Sequence, residues 1–89
     1  MTWQIELDRA AERELDKLDA QSAKRILNFL FDRVAPLEDP RSMGEALKGE
    51  RLGNYWKYHV GDYRLISHID NSRVLILIVK IGNRKEVYR

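Results

Sequence analysis

Between Arg73 and Lys80 stand six consecutive apolar residues, Val74-Leu75-Ile76-Leu77-Ile78-Val79. A run this short, rich in β-branched residues and bounded by charge, reads as a strand covered on both faces rather than as a helix. Two further β-type runs precede it. Residues 55–60 and 63–69 are separated by Gly61-Asp62, and Asp70-Asn71-Ser72 stands before the third run. Short polar turns between such runs predict an antiparallel meander. Alternation then sorts the side chains: Trp56, Tyr58 and Val60 share one face of the first strand, and Lys57 and His59 share the other. In the second strand Arg64, Ile66 and His68 alternate with Tyr63, Leu65, Ser67 and Ile69. Gly82, lacking a Cβ, permits a sharp exit from the third strand.

The preceding half supplies the cover. Trp3, Ile5 and Leu7 alternate with Gln4 and Glu6, as in a half-buried strand. Asp8 can cap a helix over residues 9–18 whose inner positions are Ala11, Leu15 and Leu18. Asp19 can cap a second, over residues 20–34, with the stripe Ala23, Ile26, Leu27, Leu30, Phe31 and Val34. The break between them is one or two residues long, which makes an αα-hairpin. Pro36 and Pro40 bracket a loop, and three glycines at 44, 49 and 53 mark a turning segment anchored by Leu47. The expected fold is α+β: a β-α-α-β-β-β chain forming one domain over residues 1–89, with a small antiparallel sheet and the helical hairpin packed on one face.

Composition narrows the function. Eighty-nine residues, 44% hydrophobic and 34% charged, describe one small globular domain without a run long enough to span a bilayer. The first residues lack the pattern of a secretory signal. Zero cysteines exclude disulfides and agree with a reducing cytoplasm. The two histidines have no clustered carboxylate in the sequence, which argues against a zinc site. Residues 1–45 hold seven Lys/Arg and ten Asp/Glu, a balance of −3, whereas residues 46–89 hold nine and four, a balance of +5. A basic second half suits a polyanion or an acidic protein. A cationic sheet face bearing tyrosines and free of helices is a reasonable surface for RNA.

Three segments carry a resemblance to a known family: Leu47-Lys48-Gly49, then Trp56-Lys57-Tyr58-His59-Val60-Gly61-Asp62-Tyr63-Arg64-Leu65, then Ile81-Gly82-Asn83-Arg84-Lys85-Glu86-Val87-Tyr88. With these the chain resembles the RelE-type toxins of the RelE/ParE toxin–antitoxin superfamily. The resemblance implies a cytoplasmic toxin, partnered by an antitoxin protein, that cuts mRNA in the ribosomal A site without metal or cofactor. Lys57 matches the first of two strand lysines of the RelE branch, and His59 stands in the place of the second. Arg64 matches the arginine that contacts the scissile phosphate. Arg84 matches the one that serves the leaving 5′-oxygen, and Tyr88 the tyrosine that positions the nucleotide. Lys48, Arg51, Lys80 and Lys85 are candidates for RNA-backbone contact.

The chemistry agrees with those residue types. Attack of a ribose 2′-OH on the adjacent phosphate builds charge on the phosphorane oxygens, which fixed cations stabilise more than the ground state. Guanidinium groups stay charged and grip phosphate oxygens bidentately. An imidazole titrates near neutrality and can take the 2′-OH proton, and like-charge repulsion from Lys57 and the arginines favours its neutral form. Two other functions fit the same fold: a ParE-like inhibitor of DNA gyrase, and an inactive module that only binds its antitoxin.

Overall fold

The computed structural model describes residues 2–47 and 55–83. The chain runs β1 (Gln4–Leu7), α1 (Arg9–Asp16) and α2 (Ala20–Asn28). A π-helical segment (Phe29–Val34), a 3₁₀ turn (Pro40–Met43) and β2 (Glu45–Ala46) follow. The chain then forms β3 (Tyr55–Val60), β4 (Tyr63–Asp70) and β5 (Leu75–Asn83). The strands form one sheet in the order β1-β5-β4-β3-β2. The α+β architecture and the antiparallel meander β3-β4-β5 are as the sequence implies.

Both helix starts follow from their caps. The Asp8 carboxylate accepts from the Ala11 N–H at 2.9 Å, and Asp19 accepts from the Ser22 N–H at 3.1 Å. That bonding holds the Asp19 carboxyl below the usual range, since the Ser22 hydrogen bonds favour its charged form. The predicted stripe is inside for Ala11, Ile26, Leu30 and Val34, each at 0% exposure. They join Tyr58, Val60, Leu65, Ile69, Ile76, Ile78 and Ile81 in one core between hairpin and sheet.

Besides the extra strand β2 and a β5 that continues through Gly82 to Asn83, three features differ from the sequence reading. The sheet is mixed rather than purely antiparallel, because β1 pairs parallel to β5, from Gln4↔Leu75 to Leu7↔Ile78. A parallel neighbour is consistent with the continuously apolar character of β5. Second, the helix over 20–34 changes its winding: Ala35 donates to Leu30 O, five residues back. Phe29 then packs edge-on against Tyr58, while Phe31, expected inside, is 52% exposed. Third, Leu47 is only half-buried and outside the core. The loop is tied down by Tyr58 instead, whose hydroxyl donates to the Pro40 carbonyl at 2.8 Å.

Candidate functional site

Register decides which side chains meet on the sheet face away from the core. Across β2, β3, β4 and β5, Glu45 stands opposite Lys57, Lys57 opposite Ile66, and Ile66 opposite Lys80. One row nearer the β3–β4 turn, His59 stands opposite Arg64, and Arg64 opposite Gly82. Directly opposed residues share a face of the sheet. Lys57, His59, Arg64 and Lys80 are therefore brought together on one surface, and Gly82 leaves room beside Arg64. A β-bulge between Ile66 and Ser67 re-sets the register beyond this patch. His68 lies past it, edge-on to Tyr55 with ring centroids 5.5 Å apart. Arg84, Tyr88, Lys48, Arg51 and Lys85 lie outside the described residues.

Arg64 is half-buried, and among the described residues its Nε finds no hydrogen-bond partner. A buried guanidinium donor without an acceptor is costly and suits an incoming anion. The turn that aligns Arg64 with His59 requires Gly61, which has φ +59, and a Cβ there would lie 2.8 Å from the Arg25 guanidinium. The Arg25 side chain and this turn bound a cleft of about 760 Å³ between α2 and the end of β3, which His59 also lines.

One charged neighbour has no signal in the sequence. Glu45 approaches Lys57 Nζ through Oε2 at 3.3 Å and His59 Nε2 through Oε1 at 3.9 Å. The histidine therefore does have a carboxylate beside it. Glu45 escapes sequence reasoning because a two-residue strand leaves no alternation to read. Among the described residues no group of three or more His, Cys, Asp or Glu gathers to hold a metal ion. No helix among them is long and apolar enough to cross a membrane.

Comparison with known proteins gives one family match over most of the chain. Residues 5–88 match the family described as ParE toxin of the type II toxin–antitoxin system parDE. Toxin RelG of Mycobacterium tuberculosis is 26% identical over 89 residues, spanning 100% of this chain and 99% of that protein. Toxin RelE of the same organism is 26% identical over 87 residues, spanning 98% and 87%. The toxin–antitoxin complex RelBE2 from M. tuberculosis superposes with a TM-score of 0.84 at 23% identity, over 97% of this chain and 95% of that one. The archaeal RelE–RelB complex from Pyrococcus horikoshii OT3 gives 0.69 at 24% identity, over 98% and 100%. Likeness at such identities establishes the fold.

Proposed function

The chain belongs to the ParE toxin family of type II toxin–antitoxin systems, and from that premise, with RelG and RelE toxins among its relatives, we propose that it is a RelE-type toxin of the RelE/ParE superfamily and a ribosome-dependent mRNA endoribonuclease. The observation that carries this reading is the buried Nε of Arg64, which finds no acceptor among the described residues, on the same sheet face as Lys57 and directly opposite His59. A surface that only binds another protein has no need of an unsatisfied guanidinium beside an imidazole and an ammonium. In the reaction, His59 takes the proton of the ribose 2′-OH and the freed oxygen attacks the adjacent phosphorus. The bond from phosphorus to the 5′-oxygen breaks, leaving a 2′,3′-cyclic phosphate. Arg64 and Lys57 hold the developing charge on the phosphorane oxygens. The leaving 5′-oxygen takes a proton, the step assigned by resemblance to Arg84, and Tyr88 positions the nucleotide. Lys48, Arg51, Lys80 and Lys85 serve the RNA backbone. The requirement for a 2′-OH restricts cleavage to RNA.

A cytoplasmic antitoxin with an acidic or amphipathic segment would cover the basic half and block the patch. Solved relatives in complex with their antitoxins support such a partner. A second reading, inhibition of DNA gyrase without RNA cleavage, is favoured by the ParE description of the matched family. Expression of the chain in cells separates the two. The nuclease reading expects mRNA cut within translated codons and no gyrase-linked DNA breaks, and the reverse pattern would establish the gyrase reading.

A further inference from the structure

Glu45 sits where it does because several residues press its strand against β3. The Asp39 carboxylate accepts from the Arg41 N–H at 3.0 Å and opens the 3₁₀ turn, and the Pro40 carbonyl accepts from the Tyr58 hydroxyl. Gly44 then passes close to β3. A Cβ there would lie 3.1 Å from the Tyr58 ring and 3.2 Å from the Lys57 carbonyl oxygen. The register that results sets Glu45 directly across from Lys57 and diagonal to His59. Each of its carboxylate oxygens faces a different cation-forming group, at 3.3 and 3.9 Å.

The surroundings of His59 give this contact a chemical role. Lys57 on its own strand and Arg64 on β4 face the imidazole, and Lys24, Arg25 and Arg33 line the cleft it borders. Among the described residues, Glu45 on β2 is the acid beside it, and Asp32 lines the same cleft. So many cations disfavour the imidazolium, and a histidine with that environment alone would be a poor proton acceptor. We propose that Glu45 is the positioning residue of His59: it orients the ring and stabilises the imidazolium that forms as His59 takes the 2′-OH proton, while its second oxygen fixes Lys57. This inference rests on the nuclease reading above. The division of labour resembles that of an acid supporting a catalytic histidine without itself taking the proton, although the Glu45 side chain is 66% exposed. At 3.9 Å the contact is an ion-pair distance, which shortens once the ring is charged.

The test uses the whole chain and the Glu45→Gln and Glu45→Asp variants. In the free protein, the pH midpoint of the His59 ring is followed by NMR, with His68 as the internal reference. Glu45→Gln should lower the His59 midpoint by about half a unit or more and leave His68 unmoved, and Glu45→Asp should retain most of the parent value. On programmed ribosomes, Glu45→Gln should reduce kcat roughly tenfold or more with KM unchanged or lowered. A His59 midpoint that does not move, or a kcat that does not fall, overturns the proposal. If the midpoint moves but the parent protein cuts no RNA, the nuclease reading fails instead.

Discussion

Arg64 and Leu65 are neighbours in the chain and opposites in the fold. Leu65 points into the core and is fully buried against the helical hairpin's side of the sheet. Arg64 points to the other face, half-buried, with one donor that finds no acceptor among the described residues. The core face is complete within the chain: its apolar side chains pack on one another, and its buried hydroxyls at Tyr58 and Ser67 donate to backbone carbonyls. The outer face is built differently, with cations and an imidazole held in register around Glu45 while the Arg64 Nε finds no acceptor among the described residues. Packing closes one surface, and charge and register organise the other.

Substitutions at these adjacent positions should break that comparison most sharply. Arg64→Ala should lower single-turnover cleavage on ribosomes by about 10²–10³-fold, the scale for losing a fixed transition-state donor. Its melting temperature should stay near that of the parent, because among the described residues the Nε makes no bond that could be lost. A large loss of stability would mean that Arg64 belongs to the structure rather than to the site. Leu65→Ala should do the reverse, costing about 3 kcal/mol in denaturant unfolding. Any activity left in its folded fraction should be close to normal.

Tyr58 sharpens the comparison from the core side. Burial pushes its hydroxyl up to about 12, from an ordinary value of 10.0. Because the folded value is the higher one, this contribution is complete below pH 10 and is lost as pH rises towards 12. The loss is on the order of 2 kcal/mol. Tyr58→Phe should cost about 1 kcal/mol at neutral pH through the bond to Pro40, and should flatten that alkaline limb in thermal melts. The smallest effect is expected at Lys80, which is exposed on the outer face. Lys80→Ala should change stability by less than about 0.5 kcal/mol. It should weaken RNA binding and reduce the salt dependence by roughly one counterion, as seen in filter binding across a salt series.

The parts of the fold written in local chemistry are legible in the sequence alone. Asp8 and Asp19 as caps, Gly61-Asp62 as a turn and the helical stripe through Ile26, Leu30 and Val34 each depend on residues within a few positions of one another. Alternation also sorts Lys57, His59 and Arg64 from Tyr58, Val60 and Leu65 without any knowledge of register. What escapes depends on distant pairing or on segments too short to show a period. Gln4 has no local signal naming Leu75 as its partner, and Glu45–Ala46 is a strand only because β3 lies beside it. The π-helical winding that exposes Phe31 goes with the fit of Phe29 against Tyr58, a contact between residues far apart in the chain. Glu45 is hidden for the same reason, and with it the carboxylate beside His59.

The pairing of β1 with β5 also orders events in time. The first strand finds its partner in the last, so Gln4 must wait for Leu75 to be synthesised before its edge of the sheet can close. Loop-closure entropy over such a separation is recovered only when the far strand arrives, which places this step late in folding. The hairpin of α1 and α2 can form early, but its core face has little to pack on until β4 and β5 exist. A nascent chain of this protein therefore lacks the β1 edge of its sheet until synthesis of β5 is nearly finished.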